Sequence, residues 1–167
     1  MASVKPVPQG LHTVTPQLVV KGGVKAIEFY KKAFGAQEKS RALSPDGRVM
    51  HAELQVGDSI IFLADEYPEI GTKAPVAGQS PVTLQIFNEN VDELFNRAVS
   101  AGATVRMPLM DAFWGDRYGQ VIDPFNHTWA LATHKEDVSA PEMERRLKEQ
   151  HLSPEEMQDR VKTLQQI

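Results

Sequence analysis

Apolar and polar positions alternate along most of this chain at intervals of two or of three to four, and the alternation predicts the elements in order. His12–Val20 has strand composition, and Pro16 places it at a sheet edge. Gly22-Gly23 breaks that pattern. From Val24 onward Val24, Ile27, Tyr30 and Phe34 take helical spacing, and Gly35 stands where a C-terminal cap is needed. Lys31-Lys32 suit the negative end of that helix. Three strands follow, Glu38–Leu43, Arg48–Val56 and Ser59–Ala64, separated by Ser44-Pro45-Asp46-Gly47 and by Gly57-Asp58. Residues 65–80 hold two prolines, two glycines and no period, so they read as a linker.

The order then recurs. Pro81–Phe87 is a strand, and Val91–Ala101 is a helix with Val91, Leu94, Phe95, Ala98 and Ala101 on one face, closed by Gly102. Thr104–Met107, Arg117–Ile122 and Thr128–Thr133 complete the set. Val24, Ile27 and Gly35 recur as Val91, Leu94 and Gly102, 67 residues on, while Leu18 matches Ile86 at 68. This is a tandem duplication of a β-α-β-β-β unit, and it predicts an α+β fold of two modules. The chain divides into a flexible lead-in (1–11), a first module (12–64), the linker (65–80), a second module (81–135) and a tail (136–167). In the tail, Ser139-Ala140-Pro141-Glu142 and Ser153-Pro154-Glu155-Glu156 carry the capping-box pattern and predict two short helices, 140–150 and 154–166. Met143 and Leu147 are expected to dock the first of them on the sheet or on a second subunit.

Composition changes this picture little. The 167 residues carry 41% hydrophobic and 24% charged side chains, ordinary for a globular protein. A net charge of −4 gives no basic footprint for nucleic acid. No apolar run is long enough for a membrane helix, and MASVKPVPQG lacks the apolar core of a signal peptide. With no cysteine there is no disulfide, thiolate catalysis or Cys-ligated metal, and a cytoplasmic setting is expected.

Candidate chemistry concentrates in Phe113–Leu131, a hairpin with two tryptophans around the turn Asp123-Pro124-Phe125-Asn126. Trp129 is expected to pack beneath a helix and Trp114 to line a binding cleft. Asp116-Arg117 reads as an ion pair or as a guanidinium offered to a ligand. Matching Gly57 with Asp123 places Arg117 at the position of His51. His127 reads as a turn residue more than as a base. Among the five histidines the nearest thing to a ligand pair is His51-Ala52-Glu53, and alternation puts His51 and Glu53 on one strand face. No nucleophile motif surrounds any serine.

FY-x-x-x-FG at Phe29–Gly35, with WGDRYG at 114–119 and DPF-x-H-x-W at 123–129, set in two such modules, resembles the vicinal oxygen chelate superfamily. That superfamily takes in glyoxalase I, extradiol dioxygenases, fosfomycin-resistance enzymes and bleomycin-binding proteins. Within it the chain looks most like the PhnB-like glyoxalase/bleomycin-resistance group. The resemblance implies curved half-sheets around a cleft, often completed between the subunits of a homodimer. It also implies a divalent metal held by His, Gln or Glu from the first and last strands of each module. Those four positions fall here on Thr15, Phe62, Thr83 and Ala130, so no metal and no cofactor are expected. Asn126 replaces the family's glycine and is expected to keep the turn. The expected ligand-binding residues are Thr15, Gln17, His51, Glu53, Phe62, Thr83, Gln85, Trp114 and Arg117, with Thr13 and Phe87 on the same faces. The expected partner is a small organic molecule. One alternative is a lyase, isomerase or dioxygenase with a displaced metal site, and another is a structural protein acting through its tail.

Overall fold

Pro16 has no N–H to give a neighbouring strand, and the first strand begins only after it. In the computed structural model, which describes residues 5–149, β1 is Gln17–Val20 rather than His12–Val20. The carbonyl of Pro16 still accepts from the Phe62 N–H at 2.8 Å. Gly22, at φ 96°, turns the chain into α1, Gly23–Phe34. β2 (Gln37–Leu43), β3 (Val49–Val56) and β4 (Ser59–Asp65) follow. The second module repeats them as β5 (Thr83–Phe87), α2 (Val91–Ser100), β6 (Thr104–Asp111), β7 (Asp116–Ile122) and β8 (Thr128–His134). The sheets are ordered β1-β4-β3-β2 and β5-β8-β7-β6, with only the first pair of each parallel. Strand β6 runs past Met107 to Asp111. Pro108 is accommodated because β6 is an edge strand that bulges between Met107 and Met110.

Each helix starts on a side chain from the last strand of its own module. Asp65 accepts from the Gly22 and Gly23 N–H groups at 2.8 Å each and from Val49 N–H at 2.7 Å. At the matching place Thr133 accepts from Val91 N–H at 2.9 Å and donates to the Asn88 carbonyl at 2.6 Å. A carboxylate in one module and a hydroxyl in the other thus serve the orphan donors of a helix N-terminus.

The face of α1 differs from its predicted stripe. Val24 is 42% exposed, whereas Ala26, Ile27, Phe29, Tyr30, Ala33 and Phe34 are buried. The broader face exists because α1 covers its own sheet and also meets the second module. Tyr30 and Phe34 lie 5.5 and 4.7 Å from the Trp129 ring, and Phe29 lies 6.1 Å from Phe125. Arg97 of α2 donates to the Ala33 carbonyl at 2.8 Å. One core therefore joins both modules.

Asp123 fastens that junction. It is 3% exposed and accepts four hydrogen bonds, from Tyr30 Oη at 2.7 Å, Trp129 Nε1 at 2.8 Å, Phe125 N at 2.8 Å and His127 N at 2.9 Å. Burial, and after it the adjacent carboxylate, push the Tyr30 hydroxyl well above its ordinary range, so it stays a donor. His127 is a turn residue whose Nε2 lies 3.0 Å from the Val19 carbonyl of the other module. Asn126 holds the left-handed turn at φ 70°, the conformation asparagine tolerates.

After β8, α3 spans Ala140–Glu149. It buries no residue; Leu147 is 49% exposed, and Arg146 binds Glu136 of its own segment at 2.7 Å. The expected docking of Met143 and Leu147 on the sheet is absent within the described chain. The expected helix 154–166 lies outside the described residues. No described helix is long and apolar enough to cross a membrane.

Candidate functional site

Period-two alternation gives each sheet one face beneath its helix and one that no helix covers, although on the second sheet Thr128, Ala130 and Ala132 of that other face are themselves buried. On the N-terminal sheet Leu18, Val20, Ala52, Leu54, Ile61 and Leu63 are buried in the core. Their alternates line the uncovered face, and Gln17, Phe62 and Glu53 lie side by side across β1, β4 and β3. His51 packs edge-on against Phe62, ring centroids 4.8 Å apart, and its Nε2 is 3.6 Å from Glu53 Oε1. Thr15 precedes this row and donates to the His12 carbonyl at 3.3 Å. The lead-in segment Pro8–Leu11 borders a groove of about 320 Å³ with Glu53, Gln55 and Ile60 of this face.

The C-terminal sheet repeats the scheme with other chemistry. Gln85, Ala130, Gln120 and Met107 form the row that matches Gln17-Phe62-Glu53. Phe87, Ala132, Tyr118 and Met110 form the next row, and Thr83 lies beside Thr128 in the row before. Trp114 stands over this face from the β6–β7 turn, edge-on to Tyr118 at 5.2 Å and to Phe113 at 5.0 Å. Gln120 Nε2 donates to Tyr118 Oη at 2.6 Å. This face is aromatic and amide-bearing, and its central rows carry no charge.

The residues expected to share one cleft thus fall into two groups. Gln17, His51, Glu53 and Phe62 meet on the first sheet, with Thr15 beside them. Thr83, Gln85 and Trp114 share the second. No described hydrogen bond, ion pair or ring contact joins the two groups, because each uncovered face is the one turned away from the common core.

Arg117 belongs to neither group, and its expected place in the cleft is corrected. Opposed residues of a ladder share a face, and the register sets Gln120 against Ala130 as it sets Glu53 against Phe62. Tyr118, not Arg117, therefore takes the position of His51. Arg117 points to the helix side, 3.0 Å from Asp92 of α2 and 3.6 Å from Asp111. The expected Asp116–Arg117 pair does not form either. Asp116, 7% exposed, instead accepts from Trp114 Nε1 at 2.8 Å and meets His134 Nδ1 at 2.8 Å.

Tyr118, Gln120 and His134 were not among the expected site residues. A usable signal was present in Gly119 and Val121. A Cβ on Gly119 would lie 2.9 Å from the Phe95 ring, so odd positions of β7 face α2 and even ones face out. Anchoring the comparison on Gly57 and Asp123 shifted the strand by one residue and exchanged its faces.

A divalent metal would find few donors here. The central positions of the two rows are Phe62 and Ala130, which offer no ligand atom, and Thr15 and Thr83 offer only neutral hydroxyls. Among the described residues no group of three His, Cys, Asp or Glu side chains is arranged to hold a metal ion. The residues do not fit the metal that the resemblance implies.

Three relatives place the chain. An uncharacterized protein of Mycobacterium bovis is 42% identical over 135 residues, which is 78% of this chain and 89% of that one. TioX from a Micromonospora species has a similar structure, with 27% identity, a TM-score of 0.60 and coverage of 74% of this chain and 98% of its own. A gene product of Arabidopsis thaliana gives 28%, 0.59, 73% and 98% in the same terms. The model of the glyoxalase/bleomycin resistance protein/dioxygenase superfamily matches residues 10–131, and the chain belongs to that superfamily.

Proposed function

We propose that this protein binds a small, flat organic molecule by hydrogen bonding and stacking, without a divalent metal. The observation that carries the reading is the pair of matched rows, Gln17-Phe62-Glu53 and Gln85-Ala130-Gln120, in which a ring and a methyl group stand where ligating atoms would be. Amide side chains both donate and accept. Beside the Trp114-Tyr118 pair they suit an uncharged aromatic amide better than a carboxylate or a phosphate. Sequestration needs no general base or nucleophile.

The test is thermal melting of chelator-treated protein with a panel of aromatic carboxamides, naphthalene-2-carboxamide and indole-3-carboxamide among them. At least one is expected to raise Tm in a dose-dependent way and to lose the effect in Gln120→Ala. A panel that leaves Tm unchanged, beside a divalent metal that raises it, would overturn the reading.

We further infer a homodimer in which the first sheet of one copy faces the second sheet of the other. The reading is supported by two sheet faces that no helix covers and by the apolar surface at the edge strand β5, where Val82 just before it and Phe87 at its end are 61% and 62% exposed. Light scattering at micromolar concentration should give twice the chain mass, and Phe87→Glu should give a folded monomer. A monomeric wild-type protein would contradict this.

A further inference from the structure

At the rim of the second face, one row beyond Phe87-Ala132-Tyr118, Asp116 lies opposite His134 in the β7–β8 ladder. The carboxylate is shared. Its Oδ2 accepts the Trp114 indole N–H at 2.8 Å, and its Oδ1 lies 2.8 Å from His134 Nδ1. The other ring nitrogen, Nε2, lies 3.0 Å from Asp137 Oδ1. A carboxylate can only accept, so both ring nitrogens must carry hydrogen for both contacts to hold. His134 is then an imidazolium with both N–H groups engaged. It has no nitrogen free to act as a base and no donor left for a ligand.

The surrounding backbone fixes this arrangement. Ala112 N–H donates to the Asp116 carbonyl at 2.8 Å and Gly115 N–H to the Ala112 carbonyl at 3.0 Å, which closes the turn that carries Trp114. The Gly115 carbonyl accepts from Lys135 and Glu136 N–H at 2.9 and 3.0 Å, which tethers the chain just beyond His134. Gly115 has φ 100°, and a Cβ there would strike the Glu136 carbonyl, so the approach is specific to glycine. The backbone therefore stays in place while the His134-Asp116-Trp114 side chains are free to respond to a proton.

We propose that His134 is a positioning residue of the ligand face, which through Asp116 holds the Trp114 indole edge-on to Tyr118 and loosens that hold when it loses its proton. The inference rests on the reading of this face as a ligand site and adds its regulation. Asp116 is nearly buried, and a buried carboxylate is stable as an anion when a cation and donors surround it. Neutral His134 removes the cation, and with only one N–H it cannot serve both carboxylates. The charged groups facing His134 are Asp116 from β7 and Asp137 from the segment after β8. Of their neighbours, Lys135 acts on Asp92 and Glu136 is held by Arg146. The hydrogen bond to Asp116, followed by that to Asp137, raises His134 above the ordinary histidine range. With the folded value raised, the clasp is complete below the ordinary histidine pKa and is lost as pH rises through the raised one.

Nuclear magnetic resonance reads this directly, because the chain has two tryptophans and hence two indole N–H signals. In ligand-free full-length protein, from about pH 5 to about pH 9, the Trp114 signal is expected to shift in one transition with its midpoint above that of an ordinary histidine. The Trp129 signal, locked on Asp123, should stay fixed. His134→Asn supplies a donor without charge and without a titrating ring, so the Trp114 signal should stay at one position at every pH, near that of the wild type at high pH. His134→Ala should displace it at every pH. A Trp114 signal that does not titrate in the wild type, or that titrates equally in His134→Asn, would overturn the proposal. Since no ligand is present, a failure of the carboxamide panel would count against the functional reading alone.

Discussion

Replacing Asp123 by alanine should destabilise the protein more than any other single change on its surface or in its turns. The carboxylate is nearly fully buried and serves four donors, two of which belong to the buried side chains Tyr30 and Trp129. An orphaned buried donor costs about 1–3 kcal/mol. With two side-chain donors and the turn amides affected together, the loss should be about 3–5 kcal/mol. For a chain of this length each kcal/mol lowers Tm by about 2–4 °C, so a drop of roughly 6–20 °C is expected. Tyr30→Phe removes one donor and should cost less. The two changes should also be non-additive, since each removes the same bond. A Tm within about 2 °C of wild type for Asp123→Ala would show that this carboxylate does not fasten the modules.

The second large effect concerns the aromatic wall. Trp114→Ala should weaken any carboxamide found in the panel by about 2–3 kcal/mol, or roughly 30- to 150-fold, with little change in Tm. The indole is a large stacking surface on a turn, so its loss opens no core cavity. Arg117→Ala is the control. Its guanidinium pairs with the exposed Asp92 and Asp111 on the helix side, and such pairs contribute about 0–1 kcal/mol. Affinity should be unchanged and Tm slightly lower. Calorimetry on both variants reads this, and a large affinity loss in Arg117→Ala with none in Trp114→Ala would reverse the assignment of faces.

Much of the fold was legible in the sequence because its signals are local. Helical spacing from Ile27 to Phe34 and from Val91 to Ala98, glycines after both helices, and alternation in β3 depend on near neighbours only. What stayed hidden depends on residues far apart in sequence. No pattern around Gly22 announces that Asp65 will cap α1, and none around Tyr30 announces Asp123. Val24 was misassigned because the stripe on α1 was judged against one sheet, whereas the helix meets two modules. The site was half legible for a similar reason. The first sheet's residues followed from alternation in β3, but β7 begins with a buried aspartate and has a glycine on its core face. Hydrophobicity alone could not set its register, and Arg117 was exchanged with Tyr118.

The central claim is that the metal position of this fold has here been given over to an organic ligand. Titration calorimetry of chelator-treated protein with zinc, manganese and nickel tests it most directly. The account predicts no stoichiometric binding at micromolar protein, because Phe62 and Ala130 supply no ligand atom and His51 with Glu53 gives only two. One metal per chain, bound at submicromolar Kd and lost in the His51→Ala/Glu53→Ala double variant, would contradict it.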